Sequence, residues 1–98
     1  MLKYQFLDKL KMLPFVEAIY LYGSRGRSNH TERSDIDLAI VCSKATQDEW
    51  LQIVDIVEKA DTLLSVDCVR YDTLKDRSRL KQNIDRDKKV LYVKHSPR

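Results

Sequence analysis

Two aspartates stand two residues apart in Asp35-Ile36-Asp37, at the head of an apolar run that ends at Val41. On a strand, residues two apart point to the same side. Their carboxylates then repel, by about 1 kcal/mol at ~4 Å in water and about 4 kcal/mol at an effective dielectric near 20. A divalent cation offsets that repulsion directly, and Mg²⁺ commonly takes one or two protein carboxylates together with substrate phosphates. Ordinary salt bridges to Arg25, Arg27 and Arg33 are the alternative. Upstream, a shorter apolar run from Ile19 to Tyr22 stops at Gly23-Ser24, and ten residues separate Ser24 from Asp35. The chain has only two glycines, Gly23 and Gly26, and both fall in this turn. Glycine admits positive φ or a close approach of the backbone, so the turn carries a backbone demand.

A third acid, Asp67, lies inside the apolar run Leu64-Ser65-Val66-Asp67-Cys68-Val69-Arg70. A buried, unpaired carboxylate is costly, so Asp67 is expected to meet a charge. That charge is either an arginine such as Arg70 or Arg25, or a cation shared with the first two acids.

The remaining elements must position these groups. Leu2, Phe6, Leu10 and Leu13 recur on one helical face, and Pro14 ends that helix. A first strand is predicted at about 18–22, a polar loop at 28–34, and a second strand at about 35–42. The second is apolar on both faces beyond its aspartates, as a central strand is. Thr46 and Glu49 form a capping box for a helix at about 47–60, with Trp50, Ile53, Val54, Val57 and Ala60 turned to the core. A third strand follows at about 64–70. Thr73 with Asp76 predicts a cap for a thinly amphipathic helix over 74–87, anchored by Leu74, Leu80 and Ile84. Val90 to Val93 reads as a short edge strand. The order predicts an α+β fold with a small mixed β-sheet in one domain, 1–98.

Of the 98 residues, 43% are apolar and 34% charged, as in soluble globular proteins. No run approaches a membrane span, and the N-terminus lacks the pattern of a signal peptide, so a cytoplasmic protein is expected. Cys42 and Cys68 sit in apolar runs without the spacing of a zinc or redox motif and read as buried small hydrophobes. Charge is uneven: residues 1–69 hold 8 Lys+Arg against 11 Asp+Glu, and residues 70–98 hold 10 against 4. The basic second part is a solvated helix face or a surface for an acidic partner. No nucleic-acid-binding motif accompanies it, and direct nucleic-acid binding is not expected.

Gly-Ser, ten residues and Asp-x-Asp together resemble the signature of the DNA polymerase β-like nucleotidyltransferase superfamily. Residues 23–38 are most similar to its minimal nucleotidyltransferases (MNT), although Gly26 stands where that group usually has alanine and Ser28 where it usually has glycine. The resemblance implies the polymerase β-like fold. It also implies that Asp35, Asp37 and Asp67 hold two Mg²⁺ ions and carry catalysis, with Asp67 the candidate general base. Gly23, Ser24, Arg25 and Arg27 would bind the nucleotide phosphates. ATP is the implied substrate, with AMP transferred to a hydroxyl and pyrophosphate released. A Walker P-loop and a Rossmann fingerprint are both absent. The chain leaves no room for an acceptor domain, so the acceptor site is expected on another chain. In the MNT group that partner is a helical HEPN toxin, AMPylated on a tyrosine by its antitoxin. Two other readings fit the same residues: a catalytic subunit acting on a small molecule of aminoglycoside type, and a non-catalytic antitoxin that masks its toxin.

Overall fold

The computed structural model describes residues 4–26 and 35–94. A helix, α1 (Gln5–Met12), precedes strand β1 (Ala18–Tyr22), which runs straight into a single turn of helix, α2 (Gly23–Gly26). Strand β2 (Ile36–Val41) is followed by helix α3 (Gln47–Glu58) and strand β3 (Val66–Arg70). A 3₁₀ turn at Tyr71–Thr73, helix α4 (Arg79–Asp87) and strand β4 (Lys89–Val93) complete the chain. The four strands form one mixed sheet in the order β3-β2-β1-β4. β1 pairs antiparallel with both β2 and β4, whereas β2 and β3 are parallel. The α+β class, the central place of β2 and the edge place of β4 are as the sequence predicts.

One face of the sheet carries the core. Ile19 and Leu21 of β1 and Ile36, Leu38 and Ile40 of β2 pack there with Phe6, Leu7 and Leu10 of α1 and Ile53 and Val57 of α3. Each such side chain contributes roughly 1.5–3 kcal/mol by leaving water. Trp50 is only partly buried at the margin of this cluster. The first turn of α1 is capped from far along the chain: the Asp61 carboxylate accepts from the backbone N–H of Gln5 and of Phe6, each at 3.1 Å. Leu13 turns extended ahead of Pro14, as the residue before proline must. The capping box of α3 is present, with Thr46 and Glu49 each accepting from the other's N–H.

On the opposite face, Tyr20 of β1 lies beside Ala39 of β2, and α4 crosses this side. Ile84 of α4 is fully buried, the Tyr71 hydroxyl donates to Asp85, and the Lys88 ammonium lies 4.6 Å from the centre of the Tyr20 ring.

The last third of the chain differs from expectation. The helix begins at Arg79, not near residue 74, and its cap is Ser78, whose hydroxyl accepts from Lys81 N–H at 3.1 Å. Thr73 does not cap it, because its hydroxyl is turned back to donate to the Arg70 carbonyl. Asp76 instead takes the Lys81 ammonium at 2.6 Å. Cys42 is buried as expected, but Cys68 is only half-buried.

Candidate active site

Strand register assembles the site. Asp37 and Asp67 are direct partners across the parallel β2–β3 ladder, and Tyr22 is the partner of Asp37 across the antiparallel β1–β2 ladder. Paired residues share a face, so Tyr22, Asp37 and Asp67 form one row across three strands. The row lies on the face away from the main core, at the rim where β1 ends and β2 and β3 begin. Asp35 stands exposed one residue ahead of β2.

The electrostatics follow from that row. Asp37 has its proton affinity raised, first by burial, then by Asp67, then by Asp35. Burial pushes the Tyr22 hydroxyl up to about 12, with Asp37 and Asp67 adding to the effect. All of these influences oppose negative charge, and a cation at the rim relieves them.

Asp67 corrects an expectation. It is exposed on an edge strand rather than buried, so it needs no partner to offset desolvation. Nor does Arg70 pair with it: that guanidinium is held by Asp72 at 3.0 Å and by the carbonyls of Cys42 and Ala45, each at 2.9 Å. Asp72 also accepts from Cys42 N–H at 2.8 Å, so this network ties the 3₁₀ turn to the far end of β2.

The two glycines answer two different demands. Gly23 has φ of +69°, and a Cβ there would lie 2.5 Å from Asp37 Oδ2. Its missing side chain lets the turn backbone lie directly against the Asp37 carboxylate. A Cβ on Gly26 would instead lie 2.5 Å from the carbonyl oxygen of Asp87 and 3.0 Å from that of Leu21. Ser24 is half-buried and Arg25 is buried at 7% exposure. Arg27, Arg33 and the expected loop at 28–34 lie outside the described residues.

The donors at the rim are hard carboxylate oxygens, the kind Mg²⁺ prefers, and the mutual repulsion of Asp37, Asp67 and Asp35 suits a divalent ion. Among the described residues no group of three or more His, Cys, Asp or Glu side chains is so placed as to hold a metal ion by itself. Asp37 and Asp67 therefore offer a partial shell, open to further ligands. A hollow of about 450 Å³ bounded by Pro14, Phe15, Glu17, Ala18, Lys44, Val93 and Lys94 lies at the other end of β1 and contains none of the three acids. Tyr22 carries no signal in the sequence that marks it for this row; only the β1–β2 ladder puts it in register with Asp37.

The fold is shared with solved toxin–antitoxin complexes. One, bound to AMP-PNP, contains a chain that superposes over 92% of this chain and 73% of its own length, with TM-score 0.68 and 22% identity. A MntA–HpeT complex gives 96% and 75%, TM-score 0.66 and 24% identity. A Shewanella oneidensis complex of a tri-AMPylated HEPN toxin with an MNT antitoxin gives 92% and 66%, TM-score 0.58 and 21% identity. At these identities the likeness is one of fold. No curated protein sequence matches the chain. Residues 5–96 match the family model described as polymerase beta, nucleotidyltransferase. With nearly the whole chain matched and the acid row at its rim, this protein belongs to the polymerase β nucleotidyltransferase family.

Proposed function

We propose that the protein is an Mg²⁺-dependent adenylyltransferase that moves AMP from ATP to a hydroxyl on a partner protein. We further propose that it serves as the antitoxin of a HEPN-type toxin in the cytoplasm, as one domain over 1–98. One observation carries the reading: Asp37 and Asp67 are register partners on one face, with Asp37 pushed toward protonation by burial and by its two acidic neighbours. A pair so placed loses less by binding a divalent cation than by standing alone. Toxin–antitoxin neighbours, one with AMP-PNP and one with an AMPylated toxin, support the choice of nucleotide and partner.

In this mechanism Asp37 and Asp67 would hold the metal, and Asp35, one residue ahead of β2, would add its charge and a further oxygen. Two bound Mg²⁺ ions would neutralise the phosphates and lower the barrier at the attacking and leaving oxygens. The backbone N–H groups of Gly23 and Ser24, with the Ser24 hydroxyl, would take the β- and γ-phosphates, and Arg25 and Arg27 would supply positive charge for them. Asp67, the most open of the paired acids, takes the acceptor proton as the oxygen bonds to the α-phosphorus. The bond from that phosphorus to the bridging oxygen breaks, and pyrophosphate leaves with the electron pair. The acceptor comes from the partner chain.

The test is transfer of label from α-labelled ATP, with Mg²⁺, to the product of the neighbouring gene, beside Asp35→Ala/Asp37→Ala. Label on the neighbour that vanishes in the double variant supports the reading. Neutralisation of the toxin by the unlabelling double variant points instead to masking, and label on an aminoglycoside alone points to a small-molecule acceptor.

A further inference from the structure

We infer that Gly26 is a positioning residue: it lets the C-terminus of α4 set how far the Gly23–Ser24 backbone stands from Asp37. The inference rests on the nucleotide-binding reading of that turn. Its ground is steric. The space for a Gly26 Cβ is taken by the Asp87 carbonyl at 2.5 Å and the Leu21 carbonyl at 3.0 Å. Ordinary contact begins near 3.4 Å, so an alanine here demands a shift of roughly 0.9 Å.

The Asp87 side cannot easily give way. Asp87 is the last residue of α4, Lys88 N–H donates to Ile84 O at 2.8 Å, and β4 starts at Lys89 in register with Leu21. Its backbone is thus held by the helix on one side and by the sheet on the other. The Leu21 carbonyl belongs to β1 and is equally fixed. What remains to move is the four-residue turn itself. That turn is wedged at its other end, where Gly23 lies against Asp37 Oδ2. Pushing Gly26 away from α4 therefore changes the distance between the phosphate-facing N–H groups and the acid row. α4 contributes none of the three acids, yet it fixes where the nucleotide would sit relative to them.

A double-mutant cycle tests this by measuring affinity for Mg²⁺·AMP-PNP by calorimetry, below each variant's melting temperature. Gly26→Ala should weaken binding by about tenfold or more, given the cost of ångström-scale misplacement. Ile84→Ala, which removes the fully buried anchor of α4, should change affinity little. In the double variant the loosened helix yields to the new methyl, so affinity should partly recover although stability falls further. If affinity instead tracks stability and the double variant binds worst, the inference is overturned. Hydrogen exchange on the unaltered chain gives a test that needs no variant. Nucleotide should slow exchange of the Lys88 N–H, because coupling between the turn and α4 acts both ways; an unchanged rate overturns the inference. Failure of the unaltered chain to bind Mg²⁺·AMP-PNP would overturn the nucleotidyltransferase reading and this inference with it. Binding without recovery and without protection overturns this inference alone.

Discussion

Replacing Asp67 by asparagine should improve the resting fold and remove the function. Adjacent strands lie ~4.8 Å apart, and two unit charges at that distance repel by about 3.5 kcal/mol at an effective dielectric of 20. Asp67 is exposed and Asp37 only partly buried, so solvent reduces the repulsion to about 1 kcal/mol or less. No hydrogen bond or ion pair of the Asp67 side chain to Arg70 is lost, since Arg70 is engaged elsewhere. Asp67→Asn should therefore raise the metal-free melting temperature slightly, by at most roughly 4–8 °C for a domain of this size. Nucleotide reverses the order. At a concentration 100-fold above its Kd, Mg²⁺·AMP-PNP should stabilise the unaltered protein by about 2.7 kcal/mol, and the variant should lose most of that gain. Transfer of AMP should fall by about 10²–10⁴, the usual contribution of a positioned base. Differential scanning fluorimetry with and without Mg²⁺·AMP-PNP, beside the label-transfer assay, checks both signs. A variant that melts several degrees lower without ligand, or keeps the full ligand-induced shift, would refute the acid-row reasoning.

Further outcomes follow from the same geometry. Gly23→Ala must adopt a positive φ, at about 1–2 kcal/mol, and must displace the Asp37 carboxylate; a lower melting temperature with at least roughly 100-fold slower transfer is expected. Spectroscopic titration of the tyrosines should show Tyr22 and Tyr71 ionising near 12, above the ordinary value near ~10, and Tyr71→Phe should delete one of the two late steps. Asp61 has its proton affinity lowered, chiefly by its bond from Gln5 N–H. The unfolded chain therefore binds that proton first, and the contribution of Asp61 is present at neutral pH and lost as pH falls through its folded value. Asp61→Asn should flatten that part of the acid-denaturation curve. Thr46→Ala breaks the capping box and should cost about 1 kcal/mol in chemical denaturation.

Most of the fold is legible because its signals are local. Period-3.6 apolar spacing marks α1, the Thr46–Glu49 box marks the start of α3, and Gly23 marks the end of β1. The acids were readable for the same reason: Asp35 and Asp37 fall two apart at the head of one apolar run, and Asp67 interrupts another. What could not be read is what pairing decides. That Asp67 meets Asp37 rather than a neighbour one residue away depends on the β2–β3 register, which neither strand carries alone. The exposure of Asp67 depends on β3 being an edge, which strand order fixes. Tyr22 enters the row only through its partner across the ladder, and the second glycine's role only through the distant end of α4. Thr73 misled because a hydroxyl that suits a helix cap suits the Arg70 carbonyl equally well. Ser78, five residues on, satisfies the same helix start without that competition.

The parallel ladder between β2 and β3 has a consequence for how this protein matures. Side chains alternate along a strand, so a slip of one residue would offer Val66 or Cys68 to the rim in place of Asp67. β3 joins β2 through the α3 crossover, which seats Ile53 and Val57 in the core, because parallel neighbours need such a connection. If the rim binds a divalent ion as proposed, that affinity depends on the β2–β3 alignment, and misassembled chains would be blind to the ion. Magnesium-dependent protection during refolding would therefore count only those molecules whose strands have found their native alignment.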